Sequence, residues 1–145
     1  MTSINRNSLV PYSAEEMYAL VDDIPAYADF LPWCKAAEEI SRDEDSVTAR
    51  LDLSYGGLEK SFTTKNRLQH AKIIEMHLVN GPFKHLEGYW RFESLGQQAC
   101  KVSLDLEFEF SSRLLGMAMG PVFNQVANSL VDAFSQRAEQ VYGKR

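Results

Sequence analysis

The stretch CKVSLDLEFEF, residues 100–110, alternates apolar and polar side chains without a fault. Because successive side chains of a β-strand point to opposite faces of the sheet, this alternation predicts a strand with one apolar and one polar face. The apolar face carries Cys100, Val102, Leu104, Leu106, Phe108 and Phe110. Strands of this kind are typical of an antiparallel sheet that is covered on one side only.

The same two-residue period recurs upstream of this strand. Alternation starts after Trp33 and continues in residues 47–55, 73–79 and 86–92, while residues 58–68 are more polar but strand-like. Short turn segments separate these runs, and connections of that length join neighbouring strands as hairpins. We predict a meander of six strands, or seven if residues 4–10 pair with it.

Two short helices are predicted between the first strand and the meander. Ser13 and Glu16 have the spacing of a capping box, in which each side chain binds the other residue's backbone N–H. The first helix should end before Pro25, and the second should end at Pro32, because proline disfavours helical geometry at the preceding residue. Their apolar stripes are Met17, Leu20 and Val21 in the first helix, and Tyr27, Phe30 and Leu31 in the second.

A period of 3.6 residues returns after Ser112 and predicts a long amphipathic helix. Its apolar stripe consists of Val122, Val126, Leu130, Phe134, Ala138 and Val141, widened by Phe123 and Ala127. We place its start near Pro121, which gives a length of about 30 Å. The more flexible segment before it, LLGMAMG at 114–120, is either an adaptable or membrane-touching gate or an ordinary helix start. Sheet and helix each have one apolar face, so they should cover each other. The sequence predicts one α+β domain over residues 1–145, a curved antiparallel sheet wrapped around a C-terminal helix in a helix-grip arrangement.

Composition and charge restrict the function classes. The chain has 145 residues, 45% of them hydrophobic, and a formal net charge of -5, whereas proteins that grip nucleic-acid backbones are usually basic. We therefore expect no DNA partner. Two well-separated cysteines and no apparent secretory signal predict free thiols in a reducing compartment. With no apolar run approaching the ~20 residues of a spanning helix, we expect a cytoplasmic protein, at most peripheral at the inner face of a membrane.

The groups that could carry chemistry do not form a recognisable catalytic or metal site. They are His70, His77, His85, Cys34, Cys100 and the carboxylate pair Asp22–Asp23. The histidines have no second ligand at metal spacing in the sequence. The cysteines have no activating neighbour and are better explained as small buried hydrophobes, and the aspartates by helix-end chemistry. We predict no catalytic residue and no metal ligand, and hence no enzyme.

A curved sheet and a straight helix diverge at one end, and the apolar hollow left between them is the expected ligand site. Candidate lining residues lie on the sheet face, on the helix and its preceding segment, and on the second short helix. They are Phe30, Leu31, Trp33, Leu53, Tyr55, Trp90, Phe108, Phe110, Leu115, Met119, Val122, Phe123 and Val126. The alternative for each residue is ordinary core packing, because large apolar side chains are usually buried for that reason.

Three stretches resemble a known family. They are VDDIPAYADFLPWC at 21–34, GPFKHLEGYWRF at 81–92 and AFSQRAEQVYG at 133–143. Together they are similar to the coenzyme Q-binding protein and ribosome association toxin (RatA) family, within the START-like superfamily of polyketide cyclases/dehydrases and lipid transport proteins. The resemblance runs essentially end to end.

This resemblance implies the helix-grip fold and two functions. The first, which we favour, is non-enzymatic binding of ubiquinone as a ligand in an apolar tunnel, supporting respiration through transient contact with the inner membrane. Tyr55, Trp33 and Tyr89 are the candidates for the contact with its headgroup. The alternative is a toxin that binds the 50S ribosomal subunit, blocks subunit association and so inhibits translation. A third hypothesis, a cyclase-type enzyme, would need a titratable group in the cavity.

Ribosome binding would need a positive surface on this acidic chain. The cations that could form one are Lys60, Lys65, Arg67, Lys84, His85 and Arg91. These residues fall in neighbouring predicted strands, but alternation divides them between the two faces of the sheet. We therefore favour an ordinary solvated surface over a contiguous basic patch.

Overall fold

The computed structural model describes residues 1–145 as a seven-stranded antiparallel sheet with three helices. The strands are Thr2–Val10 (β1), Cys34–Arg42 (β2), Ser46–Tyr55 (β3), Leu58–Gln69 (β4), Ile73–Asn80 (β5), Phe83–Ser94 (β6) and Cys100–Phe110 (β7). The helices are Ala14–Asp22 (α1), Tyr27–Phe30 (α2), which follows a 3-10 turn at Ile24–Ala26, and Arg113–Tyr142 (α3). The predicted fold is confirmed, with the first segment pairing as the seventh strand.

The sheet order is β1-β7-β6-β5-β4-β3-β2, so every strand from β2 to β7 lies beside its neighbour in sequence. Gly56 and Gly57 both have positive φ, at 57° and 84°, which suits the two-residue turn joining β3 and β4. Register shifts interrupt the pairing at four places, one of them between Thr63 and Thr64 of β4. Irregularities of this kind bend a sheet, and here they help it to curve around α3.

Helix α1 begins with the predicted capping box. The Ser13 backbone N–H donates to the Glu16 carboxylate at 2.9 Å, and the Glu16 backbone N–H donates to the Ser13 hydroxyl at 3.1 Å. The predicted stripe of Met17, Leu20 and Val21 is buried. The sequence therefore placed both the start and the buried face of this helix correctly.

Helix α3 begins eight residues earlier than we expected. Its N-cap is Ser112, whose hydroxyl accepts the Leu115 backbone N–H at 3.1 Å, and the LLGMAMG segment is helical throughout. At 30 residues the helix is about 45 Å long. Pro121 lies inside it and removes the hydrogen bond to the carbonyl of Met117, a residue that is 72% exposed, so water can take the place of the missing donor. The predicted stripe also extended too far, because Val141 is exposed.

The apolar interior forms two main clusters along the helix axis. The closed cluster lies beneath α1 and includes Met17, Cys100, Val102, Leu104 and Ala138, all 0% exposed. The cavity cluster lies beside the first half of α3 and includes Trp33, Leu86, Leu106, Phe108, Phe123 and Val126. No helix of the structure is both long and apolar enough to cross a membrane.

Candidate functional site

An internal cavity of about 80 Å³ lies between the sheet and α3. Fifteen of its 17 lining residues are hydrophobic. The sheet contributes Ala49, Leu51, Phe62, Thr64, Asn66, Met76, Leu86, Trp90 and Leu106, and α3 contributes Phe123, Val126, Ala127, Leu130 and Phe134. Ile24, Tyr27 and Trp33, which lie around α2, close the remaining side. The cavity thus lies where the sequence predicted a hollow, between a curved sheet and a straight helix.

Four of the candidate lining residues meet at this cavity: Trp33, Trp90, Phe123 and Val126. Three others, Leu31, Leu53 and Met119, are buried but do not line it. These three are packed into the surrounding protein interior. For them, the alternative of ordinary core packing describes the structure better.

The remaining six candidates lie outside the cavity wall. Tyr55 is 41% exposed at the end of β3. Phe30 packs edge-on against Phe134, with ring centroids 5.2 Å apart. Leu115 and Val122 are partly buried on α3, and Phe108 and Phe110 face a separate groove.

That groove is open to solvent, has a volume of about 710 Å³ and runs between β7, the N-terminus and the first turns of α3. Phe108 lines the groove and Phe123 lines the cavity, and their ring centroids are 4.7 Å apart. The two rings therefore form an aromatic partition between the open groove and the internal cavity. Gly116 and Gly120 of α3 also line the groove, so small residues lie next to this partition.

Two polar residues in the cavity wall were not predicted. Thr64 and Asn66, each 7% exposed, are the only buried polar residues of the chain. The Thr64 hydroxyl donates to Asn66 Oδ1 at 3.0 Å. A further polar atom, the indole Nε1 of Trp33, is buried without a hydrogen-bond partner. The sequence of β4 contained a signal for this pair, since Thr64 and Asn66 share the parity of Phe62, but its polar character concealed which face is buried.

The only titratable side chain in the cavity wall is Tyr27. Its hydroxyl donates to the Val21 carbonyl, and burial, followed by the charge of Asp22, raises its pKa well above the ordinary range. No histidine, lysine, arginine or carboxylate lines the cavity. Since proton transfer needs a group that titrates near the operating pH, this wall offers nothing suited to acid–base catalysis.

The two cysteines are buried and free. Burial, with a smaller contribution from the charge of Asp52, raises the pKa of the Cys34 thiol to about 11. Burial and the charge of Glu16 raise that of Cys100 to about 11. Both thiols therefore stay protonated at neutral pH, as expected of small buried hydrophobes.

Asp22 has a structural partner. The Arg42 guanidinium donates to its two carboxylate oxygens at 3.1 and 3.2 Å and to its backbone carbonyl at 3.3 Å. Arg42 also donates to Glu39 at 2.6 Å. Helix-end chemistry alone did not predict this ion pair, which ties the end of α1 to β2.

The solvent-facing side of the sheet carries a cluster that the sequence did not predict. His77 lies 3.4 Å from Glu75 and 3.7 Å from Glu87, and the ligating atoms of these three residues all lie within 4.8 Å of one another. The expectation that the histidines lack a neighbouring ligand is therefore wrong for His77. Tyr89, a headgroup candidate, is on this side too and donates to Glu87 at 2.9 Å, so it does not reach the cavity.

The cations of the outer face are interspersed with carboxylates. Arg67 lies 4.0 Å from Glu75, and Arg91 is paired with Asp105. Lys60 pairs in register with the buried Leu53 and so has the parity of the inner face, as the alternation predicted. The cations considered for ribosome binding therefore do not form one uninterrupted basic patch on the sheet.

The sequence matches the family described as polyketide cyclase / dehydrase and lipid transport over residues 10–135. It is 46% identical over 142 residues to the ribosome association toxin RatA of Pseudomonas aeruginosa, covering 98% of this chain and 99% of that protein. The corresponding protein of Escherichia coli is 45% identical and covers 100% of this chain and 92% of its own length. The chain belongs to the polyketide cyclase/dehydrase and lipid transport family, and within it to the RatA family.

More distant proteins are similar to this chain over nearly its whole length. The mitochondrial coenzyme Q-binding protein COQ10 homolog B of Xenopus laevis is 26% identical, over 97% of this chain and 59% of that protein. The solved structure of the Zhui aromatase/cyclase superposes with a TM-score of 0.83 at 18% identity, covering 96% of this chain and 94% of that chain. At such low identity the cyclase shares the fold, while the RatA and coenzyme Q-binding relatives are not named as enzymes.

Proposed function

We propose that this chain is a non-enzymatic binding protein for a hydrophobic small molecule of the polyprenyl quinone class, ubiquinone being the first candidate. The observation that supports it is the internal cavity, with 15 hydrophobic residues among the 17 that line it. A wall of that composition favours an apolar ligand, and the absence of an acid–base pair argues against a reaction on it. The coenzyme Q-binding relative agrees with the quinone class.

The cavity must enlarge to hold such a ligand. A volume of about 80 Å³ is well below the roughly 300–1,000 Å³ of typical ligand pockets. Displacement of the aromatic partition, Phe108 and Phe123, would join the cavity to the groove of about 710 Å³ outside it. In this arrangement the ring of the quinone lies in the cavity and its isoprenoid tail follows the groove along α3.

The groove also suggests where the ligand enters. Met117 in its wall and Leu114 beside it are 72% and 77% exposed. Large apolar side chains exposed in this way suit contact with a membrane surface. We propose that the protein acts in the cytoplasm and takes up or releases the quinone during transient contact with the inner face of the membrane.

The test fills the cavity without adding charge. Ala49 and Ala127 line it and are each 1% exposed, so Ala49→Leu and Ala127→Leu place apolar volume in the space that the ligand needs. Organic extraction of freshly purified protein, followed by mass spectrometry, should find a quinone in the wild type and much less in either variant. The matched control is Ala118→Leu, on the exposed side of α3, which should keep the wild-type content. Equal quinone content in folded cavity variants, or none in the wild type, even after incubation with quinone, would contradict the proposal.

A second candidate function is favoured by the relatives, which are named ribosome association toxins at 45–46% identity. In this function the chain binds the 50S subunit and blocks subunit association, thereby inhibiting translation. It uses the outer surface, so it is compatible with a ligand inside. The cations to examine are Lys65 and Arg67, which are both exposed on β4.

Cosedimentation with purified 50S subunits tests this function. The double variant Lys65→Glu/Arg67→Glu should cosediment less than the wild type if the outer face of β4 contacts ribosomal RNA. Lys72→Glu/Lys144→Glu makes the same change in net charge elsewhere on the surface and serves as the control. Cosedimentation that is equal in all three proteins would exclude this face, and no cosedimentation of the wild type would exclude the function.

A further inference from the structure

The buried pair Thr64–Asn66 is the feature of the cavity that apolar packing does not explain. On the inner side of β4 the successive residues are Phe62, Thr64, Asn66 and Leu68, so two polar residues interrupt an apolar row. Their partners in register on β3, Ala49 and Val47, are apolar. A polar side chain in such surroundings costs free energy unless its hydrogen bonds are satisfied.

The pair satisfies itself only in part. The Thr64 hydroxyl donates to Asn66 Oδ1 at 3.0 Å, which leaves the Asn66 amide with two N–H donors that have no protein acceptor. Trp33, which lines the same cavity, contributes a further free donor, because its indole Nε1 has no hydrogen-bond partner. The wall therefore carries N–H donors that no protein acceptor uses.

Backbone irregularity marks the same position. The β4–β5 register shifts between Thr63 and Thr64, so that Thr63 pairs with Asn80 and Thr64 with Leu78, leaving Val79 unpaired. Such bulges are over-represented beside functional sites, where they change the direction in which a side chain points. The polar pair thus lies at a bend in the cavity wall, rather than in a regular part of the sheet.

We infer that Thr64 and Asn66 form a polar subsite for the oxygen-bearing end of the ligand, with the Asn66 amide donating to a carbonyl oxygen. The inference rests on the proposed function and specifies it: the ligand is an apolar molecule with a hydrogen-bond acceptor at one end, and a pure hydrocarbon is a poor ligand. The free indole N–H of Trp33 is a further donor, for the same carbonyl oxygen or for a second one. A 1,4-quinone has two such oxygens on an otherwise apolar ring.

Two probes of matched shape separate polar recognition from apolar burial. The first is 1,4-benzoquinone with a single prenyl substituent, and the second is prenylbenzene, which has the same six-membered ring and tail but lacks the two carbonyl oxygens. Isothermal titration calorimetry of each with the wild-type protein gives the ratio of the two dissociation constants. We expect the quinone to bind roughly tenfold more tightly than the hydrocarbon, the effect of about one well-made hydrogen bond.

The variant Thr64→Val/Asn66→Leu removes both polar partners together and replaces them with apolar groups of similar shape. Because the double change leaves no orphaned donor or acceptor on β4, it should leave the fold intact. It should lower the quinone preference several-fold, the remainder being what the Trp33 indole N–H contributes, with prenylbenzene bound as well as before or better. The control Thr63→Val makes the same hydroxyl-to-methyl change on the opposite side of the strand and should keep the wild-type ratio.

The outcomes distinguish the subsite from the proposed function on which it rests. A folded double variant that keeps the wild-type ratio of dissociation constants would overturn the subsite. Equal binding of both probes by the wild-type protein would also overturn it, and the protein would then be a binder of apolar molecules without polar recognition. Binding of neither probe would overturn the proposed function itself. If the quinone preference falls in the double variant and not in the Thr63→Val control, the result supports both the subsite and the proposed function.

Discussion

The closed cluster and the cavity cluster are built from the same sheet face and the same helix, yet the residues that are completely shielded from solvent all belong to the closed cluster. Five of its residues, including Leu104 and Ala138, are 0% exposed, whereas every buried residue of the cavity cluster keeps at least 1% exposure. The difference lies in a third element. Helix α1 contributes Met17 and its neighbours to the closed cluster, while only the four-residue α2 lies beside the cavity.

Edge-to-face aromatic packing is common to both clusters, so the third element is what distinguishes them. The cavity cluster contains rings that meet edge to face, such as Phe83 and Phe123 with centroids 5.0 Å apart and Phe108 and Phe123 at 4.7 Å. In the closed cluster Trp90 and Phe134 meet in the same way, with centroids 5.4 Å apart. The comparison therefore suggests a division of labour in which the closed cluster provides most of the stability, and the cavity cluster gives up some stability to keep space for a ligand.

The sharpest test of this division uses two leucines of one strand. Leu104 and Leu106 point to the same side of β7, but Leu104 belongs to the closed cluster and Leu106 lines the cavity. Leu104→Ala should lower the free energy of unfolding by about 3–5 kcal/mol, and Leu106→Ala by about 2 kcal/mol, because a side chain at a cavity has fewer contacts to lose. Urea denaturation measures both. Equal losses would contradict the division of labour.

A second test uses glycines of the two elements that enclose the cavity. A Cβ at Gly88 on β6 would lie 2.7 Å from Met76 Cε, 2.8 Å from Leu106 Cδ1 and 3.3 Å from the Asp105 carbonyl. Gly88→Ala should cost about 1 kcal/mol, the low end of the usual cost of overpacking, because the two nearest atoms are the ends of flexible side chains that can shift. A larger loss would show that the cavity wall is rigid at this point.

Gly116 of α3 is the matched position. Its Cβ would meet only Phe110, at 3.8 Å or more, so Gly116→Ala should raise stability by about 0.5–1 kcal/mol through helix propensity. Thermal denaturation of both variants provides the measurement. If the Gly88 variant is as stable as the wild type, the side chains of the cavity wall move aside readily. The cavity is then a deformable region and not a space that rigid packing keeps open.

The regular parts of the fold were predictable because they depend on local patterns. The alternation in residues 100–110 predicted β7 and its buried face, and the spacing of Ser13 and Glu16 predicted the start of α1. The start of α3 was missed because Gly116, Gly120 and Pro121 lower local helix propensity. The Ser112 cap and the packing of the helix on the sheet outweigh that propensity in the folded chain.

The candidate site was only partly predictable because a cavity is a property of the assembled fold. Periodicity identifies the residues that face inward: the two-residue period found Trp90 on β6, and the 3.6-residue period found Val126 on α3. It does not say which inward residues fill space and which surround it, so Leu53 was included with them. Thr64 and Asn66 were missed for the opposite reason, since polar residues at inward positions look like surface residues until the strand is placed in the sheet.

The smallest expected effect concerns the end of the closed cluster where the C-terminus meets the start of α1. Tyr142 donates to the Glu16 carbonyl at 2.9 Å, and Arg145 donates to the Glu16 carboxylate at 2.7 and 2.9 Å. Hydrogen bonds from Arg145 and then from Ser13 lower the pKa of Glu16 from 4.5 to about 2. The C-terminal residues are thus fastened to the capping box of α1, the helix that closes this cluster.

A pKa lowered by folding means that the ionised carboxylate stabilises the folded state. The contribution is complete above pH 4.5 and is lost as the pH falls from 4.5 towards 2. Glu16→Gln keeps a side-chain acceptor for the Ser13 backbone N–H but removes the negative charge that Arg145 contacts. It should lower the free energy of unfolding by about 0.5–1 kcal/mol at pH 7, and the difference from the wild type should shrink across that acidic range. Glu15→Gln removes the same charge from the same helical turn, but from an exposed side chain, so urea denaturation should find it close to the wild type. If both variants lose the same free energy of unfolding, negative charge near the helix N-terminus explains the effect. The contact between Arg145 and Glu16 then adds nothing to the stability of the closed cluster.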